Sequence, residues 1–146
     1  MVGTNMLTKV LDSRTMKGQA VLTEISVGEL VDKITILQIK SERIKDSGKL
    51  KNIRRELEIL TCLKLEILKP FPELEGTEAE LKKINEEIWD LEDQVRDHEH
   101  REDFGATFVS VARSIYKTND RRADLKRRIN DFAGSSIIEE KSYACY

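Results

Sequence analysis

Asn119, Arg122 and Lys126 follow one another at steps of three and four, so on a helix they share one face. A guanidinium and an ammonium converging there could grip a phosphate or a carboxylate, with the amide orienting what the charges hold. Their setting is unusual. Stepping alternately by four and three from Phe104 gives Phe108, Val111, Ile115, Thr118, Arg122, Leu125, Ile129 and Phe132, an apolar seam broken only at Thr118 and Arg122. A guanidinium left unpaired inside such a seam is costly, so Arg122 needs a carboxylate, an anion or water beside it.

A preceding segment carries a second seam, Leu81, Ile84, Ile88, Leu91 and Val95, with Asn85, Glu92 and Glu99 within or close to the same face. If the two segments are antiparallel helices about a turn near residues 103 and 104, residues equidistant from the turn lie level. Asn85 then faces Arg122, and Ile88 faces Asn119. Glu92 is the carboxylate nearest that level, with Asp32 and Glu29 of an earlier helix as alternatives. Trp89 and Tyr116 flank the region and could stack on a ligand, although a chain with so few aromatics needs them first as core. Two readings follow. The polar layer fixes register or oligomeric state, as one buried polar residue does in a coiled coil. Alternatively it lines a cleft in which Lys33, Arg122 and Lys126 hold a small anion and Asn119 orients it.

Other chemistry is weaker. The string EEIWDLED, with Glu87 and Asp90 three apart and Glu29 and Asp32 at the same step, invites comparison with all-α nucleotide pyrophosphohydrolases, which hold magnesium between such helices. Glu86, Glu87 and Asp90 project away from the Leu81–Ile88 seam, whereas magnesium ligands must converge. The stretch ELVDKITILQIKSERI is similar to the first helix of helical chorismate mutases, but their catalytic basic residues have no clear counterparts here. His98 and His100 are two apart, the wrong step for a helical metal pair, and fit a solvated helix end. There is no glycine-rich phosphate loop, no nucleophile elbow, and no serine or cysteine with a histidine base at a suggestive spacing. No catalytic residue, metal or cofactor is assigned, and magnesium belongs only to the hydrolase alternative.

The elements that must position these residues are helical. Charged residues make up 36% of the 146 and aromatics 5%, a mix suited to long solvated helices. The net charge of −2 points to neither nucleic acid nor an anionic membrane surface, and no run is long and apolar enough to span a bilayer. Cys62 and Cys145 have no metal-ligand spacing and read as free thiols of a cytoplasmic protein.

Residues 1–22 read as a flexible arm, with one helical turn around Met6 to Leu11, ahead of a single domain over 23–146. Ser26 followed by Glu29 is a capping box that opens a helix over 27–45, apolar on two sides and therefore central or shared with a second copy. A second helix covers 49–69, with Leu50, Ile53, Leu57, Leu60 and Ile67 on its main face, and stops at Lys69-Pro70-Phe71-Pro72. A capping box at Thr77 and Glu80 opens the third, over 78–102. The fourth covers 105–133 and ends at Gly134 as a left-handed cap, with Ile137, Ile138 and Tyr143 pinning the tail. The fold expected is an all-α, four-helix antiparallel bundle. A homodimer or a protein partner is expected, with no nucleic acid and no membrane.

Three blocks carry a family likeness: SVGELVDKITILQIKSERI (26–44), WDLEDQVR (89–96) and SIYKTNDRRADLKRRINDFAGSSIIEEKSY (114–143). Together they resemble a small all-helical family of bacterial and phage proteins of unknown function, with G-E-L-x-D-K, W-x-x-E-D, N-D-x-R-A and E-E-K-S-Y motifs. Here those motifs are Gly28-Glu29-Leu30 with Asp32-Lys33, Trp89 with Glu92-Asp93, Asn119-Asp120 with Arg122-Ala123, and Glu139 to Tyr143. The resemblance implies no catalytic residues. It does place family motifs on the same polar layer.

Overall fold

The computed structural model describes residues 21–68 and 74–142. The described residues form four helices: α1 (Val27–Arg43), α2 (Ser47–Ile67), α3 (Leu74–His100) and α4 (Ala106–Ala133). Residues 1–20 of the expected arm, the Lys69–Pro72 stop, Tyr143 and Cys145 lie outside the described residues.

Each helix starts and stops for local reasons. Ser26 caps α1 by accepting from the backbone N–H of Glu29 at 3.1 Å, half of the expected capping box. The Glu29 carboxylate is instead bound by Lys126. Asp46 caps α2, accepting from Lys49 N–H at 2.8 Å. The third helix begins at Leu74, so Thr77 lies inside its first turn and caps nothing. Leu74 is itself buried and extends the apolar seam backwards by two turns. The turn joining α3 to α4 has the hydrogen bonds of a Schellman motif, Asp103 N–H to His98 C=O and Glu102 N–H to Glu99 C=O. Its left-handed residue is Glu102, at φ 53°, rather than the nearby Gly105. Gly134 plays that part at the end of α4, at φ 62°, with Ser135 N–H bonding Asn130 C=O.

α3 and α4 are antiparallel partners. Three contacts between them, His98 with Phe108, Glu87 with Thr118 and Glu80 with Arg128, join residues nearly equidistant from residue 103, as the sequence register requires. α1 lies against both helices, antiparallel to α4, since Gly28, Glu29 and Asp32 meet Asn130, Lys126 and Arg122 respectively. The core cluster at this junction is Val31, Leu74, Leu81, Ile84, Leu125 and Ile129. α2 packs on the other side of α1. This explains why α1 is apolar on two sides: Leu30, Val31, Ile34, Leu37 and Ile39 are all buried.

The outer elements are barer than the sequence pattern suggests. Ile53 is the one fully buried residue of α2, while Leu50, Leu57 and Leu60 are half-buried and Ile67 is exposed. Ile137 and Ile138 are also exposed, so the tail is held by polar bonds rather than by these side chains.

Candidate functional site

The polar layer exists, and its centre is Asp32. This carboxylate, on α1, is 1% exposed. Arg122 on α4 donates to it from Nε at 2.9 Å and from Nη2 at 2.5 Å, one nitrogen to each oxygen. This bidentate fork is the strongest pairing a guanidinium makes with a carboxylate. Asn85 on α3 donates to Asp32 Oδ1 at 2.9 Å and to Thr35 Oγ1 at 2.9 Å, and the Thr35 hydroxyl donates to the Asp32 backbone carbonyl at 2.8 Å. Asn119 adds a longer contact, accepting from Arg122 Nη1 at 3.4 Å. Asn85 and Arg122 are level as expected, yet they meet through a residue of a third helix.

One turn further along α4, Lys126 bridges two carboxylates. Its Nζ lies 2.6 Å from Glu29 and 2.5 Å from Glu139 of the C-terminal tail. Asn130, a further turn on, accepts the Gly28 backbone N–H at 2.6 Å, and Ser135 accepts that of Val27 at 3.3 Å. The donors opening α1 are thus satisfied from inside the molecule. The approach is close: a Cβ on residue 28 would stand 2.5 Å from the Lys126 carbonyl oxygen, so glycine is required there. No buried side-chain nitrogen or oxygen among the described residues lacks a hydrogen-bond partner.

Electrostatics follow from this geometry. The hydrogen bond to Asp32 raises the Arg122 pKa above its ordinary value. Burial alone would lower that of Lys126, but its bonds to Glu139 and Glu29 outweigh burial and raise it. The hydrogen bond from Lys126 holds Glu139 below its ordinary value despite partial burial. Each cation is stabilised in its charged form by neighbours that already neutralise it.

Of the residues singled out in the sequence, Asn85, Asn119, Arg122 and Lys126 come together. Of the other four, Lys33, Glu92 and Trp89 are engaged elsewhere. Lys33 is exposed on the far side of α1 and pairs with Glu56 of α2 at 2.7 Å, because adjacent residues on a helix point about 100° apart and Asp32 takes the inward position. Glu92 pairs with Arg96 on its own helix; the carboxylate facing Arg122 comes from α1, which a register between α3 and α4 alone cannot reveal. Trp89 is half-buried under the Arg43 guanidinium, 5.7 Å from the ring centre. Tyr116 is 40% exposed. Thr118, the other break in the seam, is buried and donates to Glu87 at 3.2 Å.

His98 is a correction. It is buried rather than solvated, with Nδ1 3.1 Å from the Asp103 carbonyl oxygen and its ring edge-on to Phe108. It continues the Leu81–Val95 seam to the end of α3 and closes the turn.

Thr35, Asn130 and Glu139 belong to the layer but were not singled out. A glycine in the first turn of a strong helix was the available signal for Asn130, since it marks a close backbone approach. The E-E-K-S-Y block was the signal for Glu139.

The carboxylates that prompted the magnesium comparison are separated. Glu29 and Asp32 face Lys126 and Arg122, Glu87 faces Thr118 and Arg121, and Asp90 faces Arg43. Among the described residues no three His, Cys, Asp or Glu side chains are grouped to hold a metal. A hollow of about 150 Å³ beside Lys126 is lined by Arg127, Asn130, Glu139, Glu140 and Lys141 among others, small against the few hundred Å³ usual for a ligand pocket.

The molecule is thus an all-α bundle with an ionic layer closed on itself between three helices and the tail. The chain belongs to the family of unknown function DUF6165, whose model matches residues 21–146. Neither a curated protein nor a solved structure matches it.

Proposed function

We propose that this protein is a non-catalytic binding or assembly module acting in the cytoplasm, with the buried layer as its frame and its outer surface as its working part. The observation that carries this reading is the internal neutralisation of the two cations best placed to hold an anion. Arg122 is engaged by Asp32 and Lys126 by Glu29 and Glu139, while Lys33 is turned away to Glu56. An incoming phosphate or carboxylate would have to displace a buried carboxylate from its bidentate partner, leaving Asp32 uncompensated in the core.

The layer has a positive task in this reading. Sliding α4 by one turn moves Arg122 about 5.4 Å along the axis. An apolar seam would tolerate such a slip far better than a bidentate pair, because the slip strands both charges. The layer therefore selects one alignment of α1, α3 and α4 and gives the outer surface a fixed shape. No helix among the described residues is long and apolar enough to cross a membrane.

Thermal denaturation against inorganic phosphate, pyrophosphate, nucleoside triphosphates and dicarboxylates, with and without magnesium, tests the reading. It expects no ligand-dependent rise in melting temperature. A compound that stabilises the wild type but not Arg122→Leu would overturn it in favour of a small-anion site in the bundle, and pyrophosphate release from a nucleotide would make that site a hydrolase.

A further inference from the structure

We propose that two copies of this chain associate through the outer face of α2, as an antiparallel helix pair crossing beside Cys62. The inference deepens the assembly reading by naming the partner and the surface.

Among the helices α2 packs only on α1, and its side away from α1 is not that of a solvated helix. Arg55, Ile59, Cys62 and Glu66 fall within about 60° of one another at about 100° per residue, roughly opposite the buried Ile53. Leu63 and Leu65 widen this strip on its two flanks. Ile59 is 58% exposed, Leu63 42% and Leu65 57%. Scattered apolar side chains on a surface mean little, but Ile59, Leu63 and Leu65, within two turns beside the free thiol of Cys62, form a contiguous patch.

Charge identifies the occupant. α2 carries Lys49, Lys51, Arg54 and Arg55 in its first half, and none has an ion pair among the described residues. Glu58 and Glu66 in its second half are likewise unpaired. The two α2 charges that do reach another helix are Glu56, bound by Lys33, and Lys64, bound by Glu78. A helix basic at one end and acidic at the other, with an apolar strip on the same side, complements a copy of itself laid antiparallel. A two-fold axis between Ile59 and Cys62 brings Arg55 of each copy level with Glu66 of the other and sets Ile59 against the partner's strip. Parallel pairing would place like charges together. The axis is isologous, so a single sequence supplies both halves of the interface. One helix pair is a small interface, and a weak, concentration-dependent dimer is expected.

Sedimentation equilibrium over a wide concentration range, on the full chain with Cys145→Ser so that Cys62 is the only thiol, tests this. The expected result is a monomer–dimer equilibrium in which a short bis-maleimide links Cys62 of one copy to Cys62 of the other. At about 1.5 Å rise per residue the two positions are offset by only about 4.5 Å along the helices. Arg55→Glu should weaken the dimer at least tenfold, and the exchange Arg55→Glu with Glu66→Arg should restore it. A fold defect would not be rescued that way, and unchanged circular dichroism of the single variant excludes it directly. A strictly monomeric protein overturns the proposal, as does a dimer insensitive to Arg55→Glu and not linked through Cys62. Neither outcome touches the ligand test above, so the two readings fail separately.

Discussion

The α1–α4 contact and α2 are made from the same vocabulary of Leu, Ile, Lys, Arg and Glu, yet they treat charge in opposite ways. Between α1 and α4, Asp32 and Lys126 are buried, and their partners Arg122, Glu29 and Glu139 approach from different segments to meet them. On α2 most charges stay outside without partners, the Lys64–Glu78 pair being the partly buried exception, while Ile59, Leu63 and Leu65 are exposed. Burying an ion pair in place of apolar side chains seldom adds stability, but separating its partners leaves a buried charge uncompensated, so a slipped arrangement is penalised. An exposed apolar strip lowers solubility without adding to the fold. The first region aligns the molecule; on the reading proposed above, the second meets another copy of the chain.

That contrast can be broken or sharpened by substitution. The largest effect is expected at the layer. Arg122→Leu leaves the Asp32 carboxylate buried without its cation and should cost about 3–5 kcal/mol in chemical denaturation. A loss below about 1 kcal/mol would mean that the layer is not the constraint described.

Gly28→Ala comes next. In the first turn of a helix this change normally stabilises, since alanine is the better helix former by about 1 kcal/mol. Here the new methyl group meets the Lys126 carbonyl oxygen and the Asn130 side chain, so α1 must move off α4. A net loss of about 1–3 kcal/mol is expected.

The Lys126–Glu139 contact adds a pH signature. The folded-state pKa of Glu139 lies below its ordinary value of 4.5, so its contribution is fully present above that pH. It is lost as pH falls through the lowered folded value, when the folded protein also takes up the proton. Melting temperature measured from pH 6 downward should therefore fall less steeply for Glu139→Gln than for the wild type. The difference will be modest because 41% of the Glu139 side chain is exposed.

The smallest effect belongs to Lys33→Ala, which removes a solvent-exposed ion pair between α1 and α2. It should change stability by no more than about 0.5 kcal/mol, although Lys33 stands next to Asp32 in the chain.

Lys33 and Asp32 also show where the sequence was legible. The helices could be read from periodicity because one buried face must repeat every three to four residues. The register of α3 on α4 could be read as well, because both rise by the same amount per residue from their shared turn. Arg122 stood out because a seam of Val, Ile and Leu has no other reason to contain it. Its partner was harder to see. Asp32 belongs to a helix ninety residues away, and nothing in local spacing ranks it above Glu92, which a two-helix register places nearer. In sequence Lys33 reads as a third cation of an anion site, but its place next to the inward-facing Asp32 turns it outward to Glu56. The burial of His98 could have been read from the α3 seam, which reaches it in phase, but the charged residues around it suggested solvent. Glu102 in the left-handed conformation was least legible, since glycine is the usual signal for that turn and Gly105 lay three residues away.

The most direct test of the account is a double-mutant cycle of Asp32→Leu and Arg122→Leu, followed by urea denaturation. If the layer is a closed structural lock, each single variant loses several kcal/mol and the double variant recovers most of the loss. The coupling would then be about 2 kcal/mol or more, with the double variant remaining folded and unresponsive to phosphate. Losses that simply add, or a wild type stabilised by an anion to which the double variant is blind, would contradict it.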